Sequence, residues 1–262
     1  MKKELQYFLT AVMFYTRIPC PTWIDHSEDA LNKSTKYFTL IGWIIGGITA
    51  LICWITLEIF PIEIAVLLSM SASLLLTGAF HEDGFADMCD GFGGGWTKEK
   101  ILEIMKDSRM GAYGTIGLVM ILFFKWVCLV KLNLDAPFAL LVAHPLSRWT
   151  ATTVIFRYEY ARIDESSKSK PIAKKMSMID YLLSTLIAFS TIFLFLPDFY
   201  YFILIVFFIE MTRIYWANYF YRFLGGYTGD CLGALQQINE IVVYLLLVSL
   251  PILYIKISLF FL

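Results

Sequence analysis

Charge is what this chain has least of. Of its 262 residues only 16% are charged, against about 25% in a typical soluble domain. Hydrophobic residues make up 58% and mean hydropathy is +0.67, which excludes an ordinary soluble globule and points to a membrane protein. Net charge is −1 and no basic stripe runs along the chain. That excludes nucleic acid as a partner, because nothing would neutralise its phosphates. Cysteine is sparse too. Cys20, Cys53, Cys89, Cys128 and Cys231 are scattered, odd in number and without C-x-x-C spacing, so neither a disulfide framework nor a zinc site is supported. Internal repeats, low-complexity tracts and linkers are also missing, and residues 1–262 read as a single polytopic membrane domain. The opening MKKELQYFLTAVMFY superficially resembles a signal peptide. Its apolar run is short, begins at Glu4 and leads to no small-residue cleavage site. It is expected to remain as a helix lying on the membrane or dipping into it.

Apolar length, by contrast, is abundant. Seven segments, near 38–60, 61–80, 113–132, 136–156, 181–196, 198–220 and 240–262, approach the ~20 residues that cross a bilayer as helix. Phe60-Pro61, Asn133-Leu134-Asp135 and Pro197-Asp198 are expected to be tight turns between antiparallel spans. With an odd number of spans, four polar segments fall on one side: the chain before 38 and the loops 81–112, 157–180 and 221–239. Together they hold 16 of the 21 Lys and Arg residues, whereas the opposite turns hold only Lys131. The positive-inside rule makes that side cytoplasmic and places the active face there, in the cell (inner) membrane. The fold expected is all-α and integral to the membrane. About seven transmembrane helices are joined by an N-terminal interfacial or re-entrant helix and a short amphipathic cytoplasmic helix.

The scarce charge is gathered in three places. HEDGFADMCDGFGGG, residues 81–95, packs Glu82, Asp83, Asp87 and Asp90 ahead of a glycine run. If the helix continues beyond the second span, Asp87 lies about 40° and Asp90 about −20° from Asp83, one narrow face. Like charges so close repel unless a cation sits among them, and hard oxygen ligands suit Mg²⁺ or Mn²⁺. Gly84 and Gly91, at about 100° and 80°, are expected to leave room for a phosphorylated ligand. A plain solvated acidic loop is the competing reading. His81 suits a base, a ligand or merely a satisfied polar group.

The second cluster follows an expected amphipathic helix around Ile101–Met105: Lys106, Asp107, Ser108 and Arg109, then Gly111 and Gly114. One carboxylate between two cations is what a metal-bridged diphosphate needs; a surface salt-bridge cluster is the plainer alternative. The third is LGGYTGDCLGALQQINE, residues 224–240, where glycines bracket Thr228, Gly229 and Asp230 and can present backbone N–H groups to phosphate. Charges within spans require a partner or a role. Glu210 and Arg213 can pair, Lys125 can snorkel or pair, and Arg148, beside Ser147, is placed to reach phosphate. His144 carries no assignment. Gly42, Gly46 and Gly47 suit a helix-packing seam.

Taken together, TGAFHEDGFADMCDGFGGG, EIMKDSRMGAYG and GGYTGDCLGA resemble the cobalamin synthase family, adenosylcobinamide-GDP ribazoletransferases, as do Thr16-Arg17-Ile18-Pro19 and Ser147-Arg148. The likeness runs nearly end to end. It implies a Mg²⁺-dependent membrane enzyme that joins adenosylcobinamide-GDP to α-ribazole or its 5′-phosphate and releases GMP. It carries over Asp83, Gly84, Asp87, Asp90, Gly91, Lys106, Asp107, Ser108, Arg109, Gly111, Thr228, Gly229 and Asp230. On that reading Asp83, Asp87, Asp90 and Asp107 hold metal, and Lys106, Arg109 and Arg148 take phosphate charge. Asp90 or Asp230 accepts a proton, and Glu82 is at most an auxiliary ligand. Small-molecule substrates and membrane lipid are the partners expected, with room for a homo-oligomer. Two rivals stand beside it. A CDP-alcohol-type phosphotransferase shares the aspartate and glycine chemistry but orders its motif differently. A cation transporter would place its acids at mid-membrane broken helices.

Overall fold

The computed structural model describes residues 2–161, 176–195 and 199–260. They form α1 (Lys2–Tyr15), α2 (Glu28–Ser34), α3 (Phe38–Leu57), α4 (Ile62–Thr77), α5 (Phe80–Gly94) and α6 (Lys98–Ile104). These are followed by α7 (Ala112–Leu132), α8 (Ala136–Arg157), α9 (Met178–Phe195), α10 (Phe199–Leu224) and α11 (Gly229–Phe260). No strand occurs among the described residues, where pairing is limited to an isolated bridge between Tyr160 and Tyr227. The protein is an all-α integral membrane protein.

By length and hydropathy, 28–57, 112–157, 200–224 and 229–249 qualify as spans, and the bent pair α4–α5 makes a fifth. Stretch 112–157 contains two helices, α7 and α8, and the apolar helix 178–191 is shorter than a span. Both turns expected at 60–61 and 133–135 are present. Pro61 precedes α4 with an extended backbone, and Asn133 breaks the helix at φ 54 before a 3₁₀ turn. The turn expected at Pro197-Asp198 lies outside the described residues, as do Arg162, Lys168, Lys170, Lys174 and Lys175.

Two expectations need correction. The helix does not run straight on from the second span: α4 ends on Gly78 (φ 64), Ala79 follows at φ 55, and α5 leaves at 87°. Two left-handed residues in succession cannot continue a right-handed helix. The last loop is also shorter than expected, because α11 begins at Gly229 and absorbs Gln236, Gln237, Asn239 and Glu240, all buried. Those side chains bond to other helices, which is why a polar run folds as span.

The glycine seam is real at Gly42 and Gly46. A Cβ on Gly42 would lie 2.7 Å from His144 O and Pro145 Cα, and one on Gly46 3.0 Å from Leu140 O. Close approach of this kind is how helices associate where lipid removes the hydrophobic drive. One core cluster centres on Leu129, Leu140, Ile205 and Val243. A second, with Phe85, Ile101, Phe220 and Leu235, supports α5. Leu67, Leu75, Ile116, Phe123 and Phe207 are exposed, an apolar skin suited to lipid.

Candidate active site

α5 packs against α11, α7 and α6 and hardly touches α4, the helix it follows. Its burial is uneven. Glu82, Gly84, Phe85, Ala86 and Met88 are buried, Asp87 is half-buried and Asp83 is exposed. The glycines expected to clear a path for substrate serve protein neighbours instead. A Cβ at Gly84 would sit 3.1 Å from Asp230 Cα, and one at Gly91 would sit 2.7 Å from Met105 Cγ. Gly233 makes the reciprocal approach to His81 and Gly84, so α5 and α11 cross almost backbone to backbone.

Asp90 turns inward. Its Oδ2 accepts the Gly111 N–H at 2.7 Å and its Oδ1 the Gly114 N–H at 2.8 Å. It thereby satisfies orphan donors at the start of α7. A Cβ at Gly111 or Gly114 would collide with this carboxylate, which accounts for both glycines. Immediately before Gly111, Asp107 and Arg109 form a two-pronged pair. Arg109 Nη2 donates to Oδ2 at 2.6 Å, and Nε lies 3.0 and 3.1 Å from the two oxygens. These bonds, with the Arg109 backbone N–H, hold the Asp107 carboxyl down at about 2. Lys106 and Ser108 are exposed beside it.

At the start of α11, the buried Thr228 hydroxyl accepts the Cys231 N–H at 3.3 Å and caps the helix. Asp230 is half-buried next to Gly84, whereas Gly229 is exposed with nothing within 4 Å of a would-be Cβ. The fold itself makes no demand for glycine at 229. Arg148 is not at this surface: it is fully buried, with Nη1 on His144 O at 3.0 Å and its guanidinium over the Phe38 ring.

A polar network inside the bundle was foreshadowed in the sequence reading only by Lys125 and His144, charges within spans that require a partner. Lys125 Nζ lies 2.9 Å from Glu240 Oε1 and 4.0 Å from Glu82 Oε1. Gln237 donates to Glu82 at 2.9 Å, while Gln236 donates to Glu240 at 2.6 Å and to Ser147 at 3.0 Å. Lys125 therefore pairs rather than snorkels. Glu82 faces this network and not the other acids. The signal available was LQQINE, polar residues at helical spacing just before an apolar run. Glu210 and Arg213 pair at 2.6 Å as expected.

Among the described residues no group of three His, Cys, Asp or Glu side chains is gathered closely enough to hold a metal ion. The fit to Mg²⁺ therefore rests on fewer protein ligands. Asp83 and Asp87 share the open side of α5, and Mg²⁺ commonly takes one or two carboxylates with substrate phosphates and waters. A site completed by its substrate suits these residues; a cage of Asp83, Asp87, Asp90 and Asp107 does not.

The profile of a family described as cobalamin-5-phosphate synthase matches residues 7–248. The chain belongs to that family. Cobalamin-5-phosphate synthases are enzymes, and membership makes this chain a transferase of cobalamin biosynthesis, so the lipid-synthesis and transporter readings lapse. An adenosylcobinamide-GDP ribazoletransferase of Shewanella frigidimarina is 47% identical over 253 residues, covering 94% of this chain and 95% of the relative. The proteins of that name from Shewanella putrefaciens and Shewanella oneidensis are 47% and 46% identical, covering 94% of each chain. No solved structure matches.

Proposed function

We propose that this chain joins adenosylcobinamide-GDP to α-ribazole or α-ribazole 5′-phosphate, giving adenosylcobalamin or its 5′-phosphate and GMP. The observation that carries the site is the double attachment of α5. Gly84 meets Asp230 at the start of α11, and Asp90 holds the N–H groups that follow the Lys106–Arg109 turn. Three polar segments far apart in sequence thus share one helix. The count of positive charge supports a cytoplasmic active face in the cell inner membrane.

In the reaction, a ribose hydroxyl oxygen attacks the phosphorus nearer the cobinamide. The bond from that phosphorus to the bridging oxygen breaks, and its electron pair leaves with GMP. Such a displacement needs alignment, charge neutralisation and a destination for one proton. Asp83 and Asp87 would hold Mg²⁺, which supplies charge neutralisation at the diphosphate when bound, while Asp107 orients Arg109. Lys106 and Arg109 take phosphate oxygens, and Arg109 can exchange its exposed bond to Asp107 for a substrate oxygen. Asp230 accepts the hydroxyl proton. Asp90 is the weaker candidate because both its oxygens already accept N–H groups. The open backbone at Gly229 leaves phosphate free to approach the N-terminus of α11. Ser108 adds a hydroxyl donor at the same turn.

The test uses the full-length protein in detergent with Mg²⁺, adenosylcobinamide-GDP and α-ribazole 5′-phosphate, following GMP. Release that requires both organic substrates is expected. Folded protein that releases none overturns the proposal.

A further inference from the structure

Glu82 and Asp83 are neighbours in sequence, but the fold assigns them opposite tasks. Glu82 is 5% exposed and joins Gln237 of α11 and Lys125 of α7. Lys125 continues to Glu240, which also accepts from Gln236 and from the Tyr244 hydroxyl. The side chain of one α5 residue is thus tied to two later helices.

Asp90 anchors the far end of α5 to Gly111 and Gly114, and Phe85 and Met88 pack in the second core; at the first turn the side-chain hydrogen bond to α11 is that of Glu82. The elbow at Gly78 and Ala79 joins it to α4 through two residues, and the two helices scarcely touch. Its crossing with α11 brings Gly84 and Gly233 backbone to backbone, so neither of these two residues keys the roll. A cavity of about 20 Å³, room for one water, adjoins the network and is lined by Glu82, Lys125, His144, Glu240 and Tyr244. Glu82 Oε2 and His144 Nε2 are buried with no hydrogen-bond partner among the described residues, so the neighbourhood can adjust to a small rotation. A roll of about 20° moves a carboxylate about 2 Å at the side-chain radius of a helix. Misplacement of about 1 Å already costs on the order of a hundredfold in rate.

We propose that Glu82 is a positioning residue: through its hydrogen bond from Gln237, with Lys125 at 4.0 Å, it sets the roll of the first turns of α5, and so the direction of Asp83 and Asp87. The proposal rests on the function above for what those aspartates do, but its mechanical half stands apart. Cys89 on α5 packs toward Gly117 of α7, its Sγ 2.7 Å from a would-be Cβ there, and therefore reports the seat of the helix.

The experiment uses full-length protein in detergent with Cys20, Cys53, Cys128 and Cys231 replaced by serine or alanine. Maleimide labelling of Cys89 is timed without substrate, and GMP release is measured against Mg²⁺. Glu82→Leu should speed labelling severalfold and raise the half-saturating Mg²⁺ by about 10–100-fold, the usual effect of losing a partner behind a metal ligand. KM for α-ribazole 5′-phosphate should stay unchanged. Glu82→Gln, which keeps an oxygen for Gln237, should recover most of both. Labelling at the parent rate in Glu82→Leu overturns the positioning role. So does a Glu82→Gln protein whose kcat falls with no change in Mg²⁺ dependence. If the parent itself releases no GMP, the functional reading fails, and labelling still decides whether Glu82 seats α5.

Discussion

The ion pairs Arg109–Asp107 and Lys125–Glu240 have nearly the same length, 2.6 and 2.9 Å. The Arg109 side chain is 87% exposed, while those of Lys125 and Glu240 are 6% and 4% exposed. In water the first contributes little and can be traded for a ligand oxygen. The second cannot be broken from one side without stranding a charge in a medium that will not solvate it. One molecule thus uses the same chemistry for an exchangeable contact at the rim and a fixed one inside.

The comparison can be broken at its deep end first. Lys125→Met leaves Glu240 and Glu82 buried without their cation and should cost about 3–5 kcal/mol, read as a fall in Tm and in folded yield. Unchanged Tm would mean that the buried pair holds nothing together. Next comes the open side of α5. Asp83→Asn or Asp87→Asn should lower GMP release at least about 100-fold, roughly 2.7 kcal/mol of barrier, with little change in Tm. Near-normal turnover in either would remove the metal site from the proposal.

Asp90→Ala should be mainly a stability variant, losing about 1–2 kcal/mol as capping bonds disappear. A protein of unchanged Tm with no turnover would instead make Asp90 the base. The smallest structural effect belongs to Arg109→Gln, which should leave Tm unchanged because the pair is exposed to water, with KM for adenosylcobinamide-GDP raised. Removing Arg109 returns Asp107 from about 2 toward its ordinary value of 3.8. The pair's contribution is present above 3.8 and is lost as pH falls through about 2, so both proteins carry ionised Asp107 at neutral pH. The rate profile above about pH 5 should keep its shape in Arg109→Gln; an acid limb appearing there would count against this assignment.

Much of the architecture was legible because burial in lipid leaves a plain record. Apolar runs marked the helices, Pro61 and Asn133 marked turns, and Gly42 and Gly46 marked a seam. The spacing of Asp83, Asp87 and Asp90 correctly signalled a helix. Direction was not legible. Phase on an isolated helix puts three aspartates on one face, but it does not say which one meets the start of another helix. Asp90 was claimed by Gly111 and Gly114, contacts made across the fold. The 87° elbow was hidden for a related reason: only Gly78 announced it, and Ala79 adopts a conformation its side chain disfavours. The Glu82–Lys125–Glu240 network joins three helices, with Glu240 more than a hundred positions from either partner, and single-chain periodicity carries no trace of such pairing.

The elbow has a consequence for how the protein is made. Helix α5 is synthesised before α7 and α11, the helices on which it packs. Until Gln237 emerges, Glu82 lacks its hydrogen-bond donor, and Gly84 has no backbone to rest against. The aspartate helix must therefore wait, and catalytic competence should be acquired late in biogenesis. A chain truncated before residue 229 would insert most of its helices and still lack a seated α5.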